Sequence, residues 1–168
     1  MSLTLRARTE DFDFEPLVDY YATVREPRHA EARKLLDYWC DRVDNAGDFI
    51  VGRDIPARPI ASLLRSIVVY EPVWDSMDFR VRLAGDSARR RFQGDIKGTL
   101  LSEQFSGRDL EHHLAAAIET IRTKRPMAID SRLKRGTVAE LHSEILLLPV
   151  TAPDRQSTWL LVGMFFFG

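Results

Sequence analysis

The chain has 168 residues, of which 45% are hydrophobic and 29% are charged. This length and balance predict one globular domain with a core of its own. The net charge of −1 and the pI near 6.4 give no electrostatic reason to expect nucleic acid or an anionic membrane as a partner. The single cysteine, Cys40, excludes an intramolecular disulfide. The sequence shows no signal-like N-terminus and no apolar run near the roughly 20 residues that span a bilayer, so we expect a cytoplasmic protein.

The N-terminal stretch is rich in acidic and aromatic side chains. Acidic residues lie on both sides of Pro16, and such residues favour the positive end of a helix dipole. We therefore expect residues 1–10 to form a tail and residues 16–24 to form a helix. Both belong to an N-terminal extension of residues 1–29. The domain itself is expected to cover residues 30–168.

Two amphipathic helices are predicted farther along the chain. Residues 27–46 carry one apolar stripe, which should end at Gly47. Residues 108–124 carry another, and Pro126 should stop that helix. Shorter helical segments are predicted over residues 60–64, 86–93 and 100–105.

Five strands are predicted around these helices. Residues 78–84 give the clearest signal, because apolar and polar side chains alternate there and the pattern switches to a helical period after Gly85. The strands cover residues 67–70, 79–84, 127–133, 138–150 and 158–167. The last strand is apolar on both faces, as a central strand needs to be. We therefore expect one antiparallel sheet in which the last strand lies beside the first.

This order of two strands, a helical connector and three strands resembles the PAS fold. The chain also resembles a bacterial family of stand-alone PAS-like domains with a Trp-containing helix, an Arg-x-Asp-x-x-Pro-type loop and an Arg-x-Arg-Leu-x-Gly strand. The matching segments are Trp39, residues 53–56, residues 60–64, residues 80–85, Gly94 with Gly98, and residues 147–149. Residues 50–52 replace the Pro-Arg pair that often precedes the loop. We expect an α+β, PAS-like fold with a five-stranded antiparallel sheet, a helical connector between strands 2 and 3, and an N-terminal helical extension.

The resemblance implies a non-enzymatic sensory domain in which apolar walls with a few polar groups enclose a small ligand. The candidate ligand-binding residues are Arg82, His113, Asp130, Ser131, His142 and Met164. Arg82 shares a strand face with Arg80, where the two either pair with carboxylates across the sheet or supply an anion anchor. The three arginines of residues 89–91 are interpreted as solvated helix surface, because three consecutive residues cannot all face one ligand.

No cofactor and no metal are predicted. The four histidines lack the spacing of a metal site. His113 borders the buried face of the helix over residues 108–124, from which haem-binding PAS domains supply an axial histidine, so a haem site stays open as a second possibility. Cys40 is expected to be a buried structural residue, because a flavin photoadduct needs a cysteine in the connector and this chain has none there.

The sequence ends soon after its last predicted strand, so we expect the signal to pass to a separate protein or through self-association. We predict a homodimer whose interface uses the aromatic residues Phe12, Phe14, Tyr20, Tyr21 and Trp39. Two further functions stay open. One is a small cone-fold enzyme of the ketosteroid-isomerase type, with His142 or Asp130 as its acid or base. The second is a structural adaptor with a filled core.

Overall fold

The fold is a seven-stranded antiparallel sheet with helices on both faces. A computed structural model describes the backbone of residues 2–6, 17–135 and 141–168, and the side chains of residues 22–132 and 141–168. The strands are β1 Ser2–Arg6, β2 Leu17–Val24, β3 Ile67–Val73, β4 Asp78–Ala84, β5 Met127–Arg135, β6 Leu141–Thr151 and β7 Thr158–Phe166. The helices are α1 Ala30–Ala46, a 3-10 helix Arg58–Ser66, α2 Asp86–Arg91, α3 Leu101–Gln104 and α4 Gly107–Thr123.

The strand order is β1-β2-β5-β6-β7-β3-β4. As predicted, β7 lies between β6 and β3 and is therefore central. Its successive residues Leu160 and Leu161 point to opposite faces of the sheet, yet both are at most 2% exposed. The sheet is covered on both sides at this strand, which explains why β7 carries no polar face.

The N-terminal part of the chain differs from the predicted tail and helix. The helix over residues 16–24 is wrong, because β2 forms there, and the tail over residues 1–10 is wrong for Ser2–Arg6, which form β1 and pair with β2. The rest of the predicted tail lies outside the described residues. β2 pairs along its whole length with β5. Its sequence is rich in β-branched and aromatic residues, and β5 would otherwise present a row of unpaired backbone groups. Two strands are thus added to the expected five.

The start of α1 also differs from the prediction, since the helix begins at Ala30 rather than at Pro27. The Glu144 carboxylate on β6 accepts hydrogen bonds from the backbone N–H groups of Arg28 and His29, each at 2.9 Å. These two N–H groups are therefore held at the sheet, and His29 becomes the N-cap of the helix.

The sheet separates two apolar cores. The first packs against α1 and the 3-10 helix, and its fully buried members include Leu35, Phe49, Ile60, Leu63, Val69, Leu161 and Phe165. The second packs against α2, α3 and α4, and includes Phe79, Val81, Leu101, Ala117, Ile145, Leu147 and Leu160. None of the described helices is both long enough and apolar enough to cross a bilayer.

Candidate functional site

A cavity of about 80 Å³ lies in the second core, between the sheet and helices α2 to α4. Every strand from β3 to β7 contributes a side chain to its wall. The apolar lining residues are Val68, Phe79, Ala88, Phe92, Leu101, Phe105, Ala116, Ala117, Ile129, Ile145, Leu147, Leu160, Val162, Met164 and Phe166. The cavity is thus enclosed mainly by hydrocarbon and aromatic surface.

Strand alternation explains which side chains reach the cavity. On β6, Ile145 and Leu147 line it, whereas Leu146 and Leu148 belong to the core under α1. The same period of two applies to β5, where Ile129 lines the cavity and its neighbour Asp130 faces the other way. Only every second residue of each strand therefore faces the cavity and can touch a ligand.

Tyr70 supplies a buried polar group at the cavity wall. Its hydroxyl donates a hydrogen bond to Gln104 Oε1 at 3.0 Å, although the side chain is only 6% exposed. Burial raises the pKa of Tyr70, with a smaller opposing effect from the charge of Arg91. The tyrosine is therefore a neutral hydrogen-bonding group in this site.

His113 lies on α4 and also lines the cavity. Its ring packs against Phe105, with 4.1 Å between the ring centroids. Burial lowers the pKa of His113 to about 4, and the nearby positive charge of Arg91 acts in the same direction. The imidazole is therefore uncharged at neutral pH, and it is a weak base.

Arg91 and Phe166 mark the mouth of the cavity, because both line it and both are exposed to solvent. The Arg91 guanidinium donates to Met164 Sδ at 3.1 Å, and its central carbon lies 6.0 Å from the ring centre of Phe166. Ser87 lines the cavity one helical turn before Arg91. The lining thus combines one cation and the hydroxyl groups of Ser66 and Ser87 with apolar and aromatic neighbours.

A separate polar cluster lies on the opposite face of the sheet, around Asp130. This side chain is buried and receives contacts from His142 Nε2 at 2.5 Å, Arg132 Nε at 3.3 Å and Arg28 at 3.4 Å. Burial alone would raise the pKa of Asp130, but the hydrogen bonds from His142 and Arg132 outweigh it and hold the pKa below its usual range. The cluster therefore stabilises the ionised form of Asp130. It also links β5 and β6 to Arg28, which lies just before α1.

The Arg-x-Asp-type loop holds a second buried carboxylate, that of Asp54. It accepts hydrogen bonds from Arg42 on α1 at 2.8 Å, from Arg53 at 2.8 Å and from the Ile50 backbone N–H at 2.7 Å. Burial would raise the pKa of Asp54, yet the bonds from Arg53, Ile50 and Arg42 together lower it. This carboxylate fixes the loop to α1, on the side of the sheet away from the cavity.

The candidate ligand-binding residues are divided between the two faces of the sheet. Two of them, His113 and Met164, line the cavity. Asp130 and His142 touch each other on the opposite face, and Arg82 lies over the Trp159 ring, 5.6 Å from its centre. Ser131 is not among the residues that line the cavity. The expected site is therefore not brought together as one group.

The predicted interface residues are described only in part. Phe12 and Phe14 lie outside the described residues. Tyr20 and Tyr21 belong to the part of β2 for which only the backbone is described. Trp39 packs against the core under α1 and donates from its indole N–H to the Pro149 carbonyl at 2.9 Å. Its indole is therefore used in attaching α1 to the sheet of its own chain.

Sequence reasoning missed Tyr70, Ser87, Arg91 and Phe105 as cavity residues. For Ser87 and Arg91 the helix spacing is only a partial signal, because Arg90 and Arg91 lie three and four residues after Ser87 and both spacings place a residue on its helix face. No comparable signal points to Tyr70 and Phe105, whose places depend on packing between distant segments. Among the described residues, no group of three or more His, Cys, Asp or Glu side chains could hold a metal ion.

Comparison with known proteins identifies the family to which the chain belongs. No curated protein and no solved structure matches the chain. A family model described as a PAS domain matches residues 27–165, which include α1, all the helices of the connector and nearly all of strands β3 to β7. The match thus contains nearly all of the five strands and three helices that line the cavity, whereas β1 and β2 lie outside it. The chain belongs to the PAS domain family.

Proposed function

We propose that this protein is a non-enzymatic sensor that binds a small molecule in the cavity on the helical side of the sheet. The observation that carries the proposal is an apolar cavity of about 80 Å³ with a few polar groups at its wall and mouth. Binding sites for small molecules typically combine such walls with a few well-placed polar groups. A sensory role agrees with membership of the PAS domain family.

The character of the cavity favours binding over catalysis. A cone-fold enzyme would need an acid or base inside, and the two candidates, His142 and Asp130, lie on the other face of the sheet. His113 does line the cavity, but its pKa of about 4 makes it a poor base at neutral pH. The chain also has the PAS fold rather than the cone fold.

The size of the cavity supports a small ligand over both a filled core and a haem group. A structural adaptor with a filled core would not keep a cavity of about 80 Å³ among its packed side chains. Haem is disfavoured because sites for ligands of drug size or larger occupy roughly 300 Å³ or more. We therefore propose no cofactor in the cavity.

The signal is proposed to leave through self-association or through a separate partner protein. β1 forms one edge of the seven-stranded sheet, and edge strands offer unpaired backbone groups to another chain. Tyr20 and Tyr21 lie on the neighbouring strand β2, which keeps them near that edge. A homodimer through the N-terminal strands is the arrangement we propose.

Native mass spectrometry of the purified full chain tests ligand and subunit number together. We expect twice the 19.3 kDa of one chain, with an additional small mass that disappears on denaturation. The matched control is Ala117→Leu, which adds hydrocarbon at a fully buried position of the cavity wall and should remove the additional mass. An additional mass that persists in Ala117→Leu would contradict binding in the cavity. A single chain without adduct would contradict the whole proposal.

A further inference from the structure

We propose that the cavity selects a short-chain monocarboxylate, whose carboxyl group binds Arg91 at the mouth while its alkyl chain enters the apolar interior. This inference rests on the proposed function and adds the chemical class of the ligand. Among the described residues that line the cavity, Arg91 is the only one with a full charge at neutral pH, since burial keeps His113 neutral and no carboxylate lies on the wall.

The contacts of Arg91 leave most of its hydrogen-bonding capacity unused. One N–H group points to the thioether of Met164 at 3.1 Å, and thioethers are weak acceptors. The remaining contacts are with the rings of Phe92 and Phe166, at 5.9 Å and 6.0 Å. No ion pair between described residues includes Arg91, whereas the neighbouring Arg89 is paired with Asp86 at 2.8 Å. A guanidinium has five N–H donors in a fork that fits a carboxylate.

The helix that carries Arg91 places a second donor beside it. Ser87 and Arg91 are four residues apart on α2 and therefore lie on the same helix face, and both line the cavity. A carboxylate at the mouth can accept from the guanidinium with one oxygen and from the Ser87 hydroxyl with the other. A ligand hydroxyl is neutral and has one oxygen, so its hydrogen bonds to these donors would be weaker than those of a carboxylate.

The surroundings of Arg91 favour an anion over a cation or a neutral group. The guanidinium attracts a carboxylate and can pair with it through charge-assisted hydrogen bonds, which are stronger than neutral ones. The same charge repels an ammonium group, which gives selectivity by exclusion. Because the described wall residues include no Asp or Glu, no protein carboxylate on the wall competes for the position.

The volume limits the length of the alkyl chain. A cavity of about 150 Å³ is enough for benzene, which has six carbon atoms. The interior volume of about 80 Å³ here therefore accepts a chain of about three or four carbon atoms, with the carboxyl group outside it at the mouth. Pentanoate has that length.

Isothermal titration calorimetry on the full chain tests the inference, with pentanoate, pentan-1-ol, pentylamine and decanoate as probes. We expect pentanoate to bind best, and Arg91→Met to raise its Kd roughly ten- to a hundred-fold, the usual effect of losing hydrogen bonds to a charged group. Arg91→Lys should restore part of the affinity because it keeps the charge. Arg90→Met is the matched control, since Arg90 is exposed on the same helix and does not line the cavity, and it should leave the Kd unchanged.

The outcomes separate this inference from the proposed function. Preference for pentanoate that is lost in Arg91→Met and kept in Arg90→Met supports it. Equal affinity for pentanoate and pentan-1-ol, or the same pentanoate affinity in wild type and Arg91→Met, overturns the inference while leaving a ligand-binding cavity in place. Tighter binding of decanoate than of pentanoate overturns the size limit. Failure of every probe to bind, with no adduct in native mass spectrometry, overturns the inference and the proposed function together.

Discussion

Gly85 follows the alternating strand β4, and the space around it admits only a glycine. Its φ of −76° is ordinary, so the backbone conformation itself does not require this residue. A Cβ atom at this position would lie 2.1 Å from the Leu64 carbonyl oxygen and 2.5 Å from the Arg65 carbonyl carbon. The Gly85 backbone N–H also donates to the Ile67 carbonyl at 2.8 Å. The strand end is therefore pressed against the end of the 3-10 helix, and backbone atoms on both sides leave little room to move.

The first prediction concerns Gly85→Ala. We expect this change to lower the free energy of unfolding by about 3 kcal/mol, because a methyl group forced against rigid backbone acts as overpacking. Urea unfolding followed by circular dichroism measures it. Gly47→Ala is the control, since Gly47 has a φ of 87° and open space around it, so only strain of about 1 kcal/mol is expected. Equal losses in the two variants would show that close approach is not the cause.

The position of α1 on the sheet depends on the Glu144 carboxylate. This side chain is 0% exposed and accepts hydrogen bonds from two consecutive backbone N–H groups, those of Arg28 and His29, just before the helix begins. The indole of Trp39 attaches the same helix to β6 through the Pro149 carbonyl. Two strong polar contacts thus hold the helix while its apolar stripe covers the sheet.

The second prediction concerns Glu144→Gln. We expect a loss of about 2 kcal/mol in unfolding free energy, because the amide can accept only with its oxygen and its NH₂ group faces one of the two partly buried N–H donors. Thermal and urea unfolding measure it. Glu103→Gln is the matched control, because Glu103 also accepts from a backbone N–H, that of Leu100 at 2.6 Å, but is exposed to water. A loss below about 0.5 kcal/mol in Glu144→Gln would contradict this role of the carboxylate.

Local patterns predict the elements of the domain well and those of the N-terminal part poorly. The stripe of α1 and the alternation of β4 are properties of neighbouring residues, so both elements can be found from the sequence. The acidic residues around Pro16 favour a helix for the same local reason. β2 is a strand because β5 offers it an edge, and β5 lies over a hundred residues later in the chain. A pairing of this kind is not visible in a local pattern.

The whole molecule shows why the cavity can be predicted only in part. Its wall comes from five strands and three helices, so no single segment carries its signature. Asp130 lies in the right strand for a ligand contact, but Ile129 faces the cavity and the pleat turns the next residue away. Arg91 is one of three consecutive arginines, and only the rotation of α2 distinguishes it from its neighbours. The order of strands and helices predicts the fold class. Which side chains line the cavity depends on which residues of each strand face it and on how each helix is rotated.

Acid should destabilise the whole molecule through His113, and the direction follows from its pKa. Burial lowers this pKa from the usual 6.5 to about 4, with Asp109 opposing and His112 and Arg91 reinforcing the shift. The unfolded chain therefore binds more protons than the folded chain between these two values. Stability due to His113 is complete above the higher value and is lost as the pH falls through the window.

The third prediction is a pH dependence of stability that requires His113. Between about pH 8 and about pH 5 we expect the free energy of unfolding to fall by about 2 kcal/mol from this residue alone, since one pKa unit corresponds to about 1.4 kcal/mol. Burial lowers the pKa of His112 as well, so it adds a decrease of the same sign. Urea unfolding at both pH values measures the fall, and His113→Leu should remove most of it because leucine binds no proton. Asp54 and Asp130 have pKa values below their usual 3.8 and therefore contribute little in this range. An equally steep fall in His113→Leu would show that His113 is not the group that resists protonation.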